Sequence, residues 1–103
     1  MRIMERIIQE IPQDKLNEFA AFQRKLDVIS ARLGFPALRW YTHWYGAENT
    51  FTLACEREWE SFAAMEAAYE KAIADPECMA LTQTWPTLGK SHRQEVWLVG
   101  MGV

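Results

Sequence analysis

The stretch that most constrains the fold of this chain is 38–59, which reads LRWYTHWYGAENTFTLACEREW. Aromatic and β-branched residues dominate both of its arms, and this composition is typical of β-strands. Gly46, Glu48 and Asn49 lie between the arms and are residue types that turns prefer. We therefore predict an antiparallel hairpin whose turn spans 46–49.

Counting outward from that turn predicts the pairing of the two arms. On the polar and aromatic face the pairs are Tyr45 with Thr50, His43 with Thr52, Tyr41 with Ala54, and Arg39 with Glu56. On the apolar face they are Trp44 with Phe51, Thr42 with Leu53, and Trp40 with Cys55. A slip by one residue would exchange the faces and separate the charges of Arg39 and Glu56, so the pattern favours a single register.

A strand and a helix are predicted before the hairpin. Residues 2–11 are apolar on both faces, which suits a central strand, and Pro12 ends that strand. Residues 14–33 predict a helix that Asp14 would cap, with Gly34 in the left-handed conformation after its end. The apolar stripe of this helix recurs at spacings of three and four and comprises Leu16, Phe19, Phe22, Leu26, Ile29 and Leu33.

The second half of the chain predicts two helices and a last strand. Ser61 would cap the first of these helices, and Asp75 would cap a shorter one that ends at about residue 84. The polar segment 87–94 predicts a loop, and 95–99 predicts the strand. The resulting order is that of the ferredoxin-like α+β fold, a βαββαβ arrangement with a four-stranded antiparallel sheet and two helices on one face.

Composition and charge narrow the classes of function. The 103 residues suit a single domain over 1–103. Half of them are hydrophobic and five are tryptophan, so we expect a self-association surface or a pocket. The net charge of -3 and the lack of a basic block argue against nucleic acid, and no apolar run could span a membrane. Without a signal-peptide pattern, a cytoplasmic location is expected.

The polar face of the hairpin carries the candidate site. Arg39, Tyr41 and His43 are the candidate catalytic residues, and the candidate ligand-binding residues are Tyr45, Thr52 and Glu56. Histidine could deprotonate a phenolic or enolic substrate, and arginine could hold the resulting anion. The same cluster also fits a half-buried face in a dimer interface, with Arg39 and Glu56 as a structural pair.

The other residues that could carry chemistry give weaker signals. His92 is interpreted as a solvated loop residue, and Cys55 and Cys78 as buried hydrophobic side chains. Two distant histidines and two cysteines lack the spacing of metal ligands, so no metal is predicted. A single histidine could ligate haem, but nothing else marks a haem pocket, and no cofactor is predicted. Trp40 and Trp44 alternate with the polar face and are interpreted as core under the helices.

Several short segments carry a resemblance to a known group of proteins. They are 56–61 (EREWES), 69–71 (YEK) and 74–77 (ADPE), with weaker matches at 6–8 (RII) and 16–19 (LNEF). These segments and the element order resemble the dimeric α/β-barrel superfamily, and within it the NIPSNAP-type proteins. The resemblance implies a homodimer in which two sheets face each other as one barrel, with the helices outside.

The resemblance bounds the function without choosing it, because one fold supports many chemistries. The superfamily includes cofactor-independent monooxygenases of aromatic polyketides, haem-degrading enzymes and muconolactone isomerase-like proteins, and NIPSNAP-type members have no single agreed chemistry. Our leading hypothesis is a homodimer that binds a small aromatic or anionic molecule. The alternatives are a cofactor-independent monooxygenase or isomerase that uses His43 with Arg39 and Tyr41, and a purely structural or interaction module.

Overall fold

The computed structural model describes residues 1–43 and 51–100. In these ranges the elements are β1 (Ile3–Ile11), α1 (Leu16–Arg32), β2 (Arg39–Thr42), β3 (Phe51–Trp59), α2 (Phe62–Ala74), α3 (Pro76–Thr82) and β4 (Ser91–Leu98). Two short 3₁₀ turns, Gln13–Lys15 and Trp85–Thr87, precede α1 and β4. The predicted hairpin turn at 46–49 and the pairs made by Trp44 and Tyr45 lie outside the described residues.

The four strands form one antiparallel sheet in the order β2–β3–β1–β4, with β1 in the interior as predicted. The helices cover one face of this sheet, which we call the covered face, and leave the other face open. The predicted ferredoxin-like α+β fold is therefore confirmed. The shorter helix predicted after Asp75 is also present as α3, which packs against both α1 and α2.

The hairpin has the register that the alternating pattern predicted. The pairs are Arg39 with Glu56, Trp40 with Cys55, Tyr41 with Ala54, and Thr42 with Leu53. Beyond β2, the backbone N–H of His43 donates to the Thr52 carbonyl at 3.1 Å. Trp40 lies on the covered face, where its ring meets Phe19 edge-on with the ring centroids 6.1 Å apart.

The helix ends follow the sequence signals at α2 and α3. The Ser61 hydroxyl accepts from the backbone N–H of Ala64 at 3.0 Å, and an Asp75 oxygen accepts from that of Cys78 at 2.8 Å. These side chains satisfy N–H groups that have no partner within the helix. Gly34 has a φ of +87°, as predicted for the residue after α1.

The predicted cap of the first helix is wrong. Asp14 lies inside the 3₁₀ turn Gln13–Lys15, and α1 begins at Leu16 without a side-chain cap. The turn closes when the Lys15 backbone N–H donates to the Pro12 carbonyl at 2.9 Å. The backbone of the turn therefore supplies the entry to the helix that Asp14 was expected to provide.

The last strand begins earlier than predicted. The sequence predicted a loop over 87–94, whereas β4 begins at Ser91. Its pairing with β1 starts at Glu10 opposite Ser91 and ends at Ile3 opposite Leu98. Most residues of β4 are exposed because it is an edge strand. Its polar start therefore lacks the apolar alternation that marks a strand, and backbone pairing with β1 defines it instead.

The core beneath the helices is divided among the described residues into three clusters. One holds Ile3, Trp59, Met65 and Ala68, the second Ile11, Phe19, Phe22 and Leu88, and the third Ile29, Ala72 and Cys78. A small domain usually has one contiguous core. The core of this domain is therefore not one contiguous cluster.

Candidate functional site

A cavity of about 420 Å³ lies between the covered face and the helices. Phe22 of the second cluster and Ala72 and Cys78 of the third line it, as does Tyr69, which packs against the first. The sheet contributes Ile7 and Cys55. Pockets that bind small molecules usually measure roughly 300–1,000 Å³ and are lined by apolar and aromatic side chains. This cavity is therefore the first candidate for a functional site.

Arg57, one of the residues that line the cavity, belongs to a buried ion pair. Glu5 on β1 and Arg57 on β3 lie directly opposite each other, and they are 0% and 6% exposed. The Arg57 Nε donates to Glu5 Oε1 at 2.7 Å. Since a buried charge without a partner is strongly destabilising, each of these residues makes the burial of the other tolerable.

Three further donors saturate the Glu5 carboxylate. The Trp59 Nε1 donates to Oε1 at 3.0 Å, and the Tyr69 hydroxyl and the Gln94 amide donate to Oε2. Burial acts to raise the pKa of Glu5, but the charge of Arg57 and the hydrogen bonds from Tyr69, Arg57 and Trp59 outweigh it and hold that pKa below its usual range. Glu5 is therefore an ionised and fully engaged carboxylate.

Arg57 and Tyr69 present this network to the cavity. The Arg57 Nη2 donates to the Tyr69 hydroxyl at 3.0 Å, and the guanidinium carbon lies 4.6 Å from the Phe35 ring centroid. Burial raises the pKa of Tyr69 above its usual range, opposed by Arg57 and reinforced by the hydrogen bond to Glu5. Tyr69 therefore stays a neutral phenol, and this part of the lining is a fixed hydrogen-bonded surface.

A second polar group lines the cavity where the 3₁₀ turn meets β1 and β4. The Trp85 Nε1 donates to Gln9 Oε1 at 2.7 Å, and the His92 ring lies edge-on to Trp85 with centroids 5.6 Å apart. The interpretation of His92 as a loop residue is wrong, because it lies in β4. Gly89 makes room for Trp85, since a Cβ there would be 2.1 Å from Trp85 Cζ2.

The two cysteines that line the cavity are not poised as nucleophiles. Burial raises the pKa of the Cys55 thiol to about 12 and also raises the pKa of the Cys78 thiol. A thiol of high pKa stays protonated near neutral pH and reacts slowly. Both side chains are buried, as the sequence indicated. Within 1–43 and 51–100, no three histidine, cysteine or acidic side chains converge as a metal site requires.

The site residues chosen from the sequence lie on the opposite, open face. Arg39, Tyr41 and His43 are exposed, and the register places Thr52 and Glu56 beside them on that face. The structure thus brings these five residues onto one surface, but none of them lines the cavity. The sixth, Tyr45, lies outside the described residues.

Arg6 pairs with two carboxylates on the open face. Arg6 Nη2 lies 2.7 Å from Glu56 Oε2, and Arg6 Nη1 lies 3.6 Å from Glu95 Oε1. The same guanidinium lies over the Trp97 ring, 5.7 Å from its centroid. Glu56 faces Arg39 in the register, as predicted, but its ion pair is with Arg6.

Sequence reasoning missed the Glu5–Arg57 network, although a signal for it was present. Alternation places Glu5 between Ile3 and Ile7 on one face of β1. It likewise places Arg57 between Cys55 and Trp59 on one face of β3, so the two charges share the covered face. Only the pairing of β1 with β3, which sequence reasoning did not derive, aligns them.

No protein-family model and no curated protein sequence matches this chain. Solved structures do match it in fold. A NIPSNAP family protein from Agrobacterium tumefaciens matches with a TM-score of 0.77 and 17% identity, over 95% of this chain and 92% of that chain.

Two further solved structures extend the comparison. A dimeric protein of unknown function with a ferredoxin-like fold, from Bacteroides fragilis, matches with a TM-score of 0.64 and 13% identity over 93% of this chain and 94% of its own. A protein from Nitrosomonas europaea, provisionally named an antibiotic biosynthesis monooxygenase, matches with a TM-score of 0.64 and 13% identity over 98% and 94%.

This chain has the fold of the NIPSNAP-type structures. At such low sequence identity the likeness shows a shared fold, and at that level the predicted resemblance is confirmed. No helix in the described ranges has the length and apolar character needed to cross a membrane.

Proposed function

We propose that this protein binds a small aromatic molecule in the cavity between its sheet and its helices. The observation that carries the proposal is the cavity of about 420 Å³, which is lined by residues that belong to the three core clusters or pack against them. Phe22, Phe35, Tyr69 and Trp85 supply aromatic surface around it. Ring faces and edges of this kind favour flat aromatic ligands through burial and stacking.

We propose further that the protein is a homodimer joined through the open face. In a single chain that face leaves Tyr41 and Trp97 about half exposed, at 49% and 51%. A second copy would cover both rings, and large exposed apolar side chains often mark such contacts. The Bacteroides fragilis protein of the same fold is dimeric, which supports the proposal.

Titration with 2-naphthamide tests the binding function. We expect saturable binding and a raised melting temperature, since a ligand that binds only the folded state stabilises it. Ala72→Phe places a ring in the cavity from α2 and should abolish binding. Ala67→Phe, on the exposed side of the same helix, should retain it. No binding to the wild type, or binding that survives Ala72→Phe, would reject the cavity as the site.

A second candidate function is catalysis on the open face. The placement of Arg39, Tyr41 and His43 beside one another on the hairpin favours it, and a neighbour in fold is provisionally named a monooxygenase. In a dimer this cluster would be enclosed, with Thr52 and Glu56 alongside and Tyr45 as a further ligand-binding residue. His43 would deprotonate a phenolic or enolic substrate, and Arg39 would hold the anion.

Oxygen uptake with a panel of phenolic substrates tests this second candidate. His43→Ala should abolish uptake while size-exclusion chromatography still shows a dimer. Full activity in His43→Ala would reject the assignment. If the protein is dimeric but shows neither uptake nor binding of 2-naphthamide, a purely structural role for the open face is favoured.

A further inference from the structure

We propose that Glu5 makes the cavity selective for neutral over anionic aromatic ligands, although Glu5 is not one of the lining residues. This inference rests on the proposed binding function and names the ligand class more closely. It makes Glu5 a specificity-determining residue that acts through Arg57.

The first step is the charge that the cavity presents. Arg57 is the lining residue that carries a permanent positive charge, and no aspartate or glutamate is among the described lining residues. An arginine with free donors would hold a ligand carboxylate firmly, because its planar fork matches a carboxylate. If the charge of Arg57 acted alone, the cavity would select anions.

The second step is that Arg57 is already committed. Its Nε donates to Glu5 at 2.7 Å and its Nη2 to Tyr69 at 3.0 Å. The rings of Phe35 and Trp59 lie close to the guanidinium, with centroids 4.6 and 5.4 Å from its carbon. Two of the guanidinium donors are therefore committed to groups of the protein, and two aromatic rings lie close to the cation.

The third step is the sum of the charges. The ionised Glu5 carboxylate is paired with Arg57 at 2.7 Å, so its negative charge offsets the positive charge that Arg57 presents to a ligand in the cavity. An anion that entered would lose its hydration, gain little from Arg57 and be repelled by Glu5. A neutral ligand meets neither penalty, so the pair discriminates by charge and not by shape.

Two ligands of the same shape and different charge test the inference. Wild-type protein is titrated calorimetrically with 2-naphthamide, which is neutral, and with 2-naphthoate, which is an anion at neutral pH. We expect the wild type to bind the amide at least about tenfold more tightly. In Glu5→Gln, which keeps the side-chain size but removes the negative charge, the preference should move toward the naphthoate by at least about tenfold.

Glu58→Gln is the matched control. Glu58 follows Arg57 in the chain, and it lies on the open face, where it pairs with Arg2 at 2.6 Å. This variant loses the same formal charge as Glu5→Gln but leaves the buried pair intact. The ratio of the two affinities should therefore equal that of the wild type.

The outcomes separate this inference from the proposed function. If 2-naphthamide binds the wild type but 2-naphthoate binds as tightly or more tightly, the inference is overturned and the binding function stands. A folded Glu5→Gln protein with an unchanged ratio also overturns it. If Glu5→Gln does not fold, the wild-type ratio alone decides. If neither ligand binds the wild type, the binding function fails and the inference with it.

Discussion

Two arginine–glutamate pairs occupy successive positions of the same two strands and lie on opposite faces of the sheet. Glu5 faces Arg57 on the covered face, and Arg6 faces Glu56 on the open face. The shortest nitrogen–oxygen distance is 2.7 Å in both pairs. The arginine and glutamate side chains are 6% and 0% exposed in the covered pair, against 34% and 15% in the open pair.

The surroundings of an ion pair, and not its contact distance, decide how much the pair contributes to stability. Where the helices exclude water, the Glu5 carboxylate depends on the donors around it, and the loss of Arg57 would leave a buried charge without its partner. Where water has access, a similar contact is screened and contributes little to stability. The covered pair thus shapes the cavity, while the open pair lies on a surface that a second copy could cover.

Removing one partner of the covered pair should have the largest effect. Arg57→Met leaves the Glu5 carboxylate buried beside an apolar side chain, so we expect the free energy of unfolding to fall by about 3–5 kcal/mol. Urea denaturation followed by tryptophan fluorescence measures this loss. A loss below about 1 kcal/mol would mean that Glu5 is less dependent on Arg57 than its burial implies.

Trp59→Phe should have the next largest effect. It removes the indole N–H that donates to Glu5 at 3.0 Å, and a buried acceptor that loses a donor is destabilised by about 1–3 kcal/mol. Trp97→Phe on the open face is the control, because Trp97 is 51% exposed. Equal losses in the two variants would contradict the difference between the faces.

The pH dependence of stability should reveal Glu5 directly. Its pKa in the folded state is lowered, so its contribution is complete above the ordinary carboxyl pKa and is lost as pH falls through the lowered value. We expect the free energy of unfolding to decrease below about pH 4.3. Glu5→Gln should flatten this decrease but not remove it, since the pKa values of Glu58 and Asp75 are lowered by their arginine hydrogen bonds. An identical pH profile in wild type and variant would contradict the assignment.

Breaking the open pair should have the smallest effect. Arg6→Met removes the ion pair with Glu56 and the contact with Trp97 on a face that water reaches. We expect a loss of about 0–1 kcal/mol at low protein concentration, further reduced by salt. A loss as large as that of Arg57→Met, measured by the same urea denaturation, would erase the distinction between the faces.

The sequence predicted the elements whose side chains alternate clearly. The aromatic arms of the hairpin specify their own register, so Arg39 was correctly placed opposite Glu56. The caps at Ser61 and Asp75 were also predicted, because a short polar side chain directly before a helix often accepts hydrogen bonds from the backbone N–H groups of its first turn. The start of β4 was missed, since the polar residues of an edge strand read like a loop.

The cavity could not be predicted from the sequence, because it depends on how helices pack over the sheet. Glu5 in a strand reads as a solvent-exposed residue, since glutamate is rarely fully buried. Glu5 can be buried because Arg57, Tyr69 and Gln94, which lie on three other elements, donate hydrogen bonds to its carboxylate. The sequence pointed to His43 instead, because the register of a hairpin, and hence the neighbours of His43, can be derived from the sequence spacing.

A crystal structure of the protein with 2-naphthamide tests the central claim most directly. The ligand should lie between α1, α2 and the covered face of the sheet, with its rings against Phe22 or Phe35 and with the Glu5–Arg57 pair unbroken. A ligand found only on the open face beside Tyr41 and His43, with the space under the helices empty, would contradict the account.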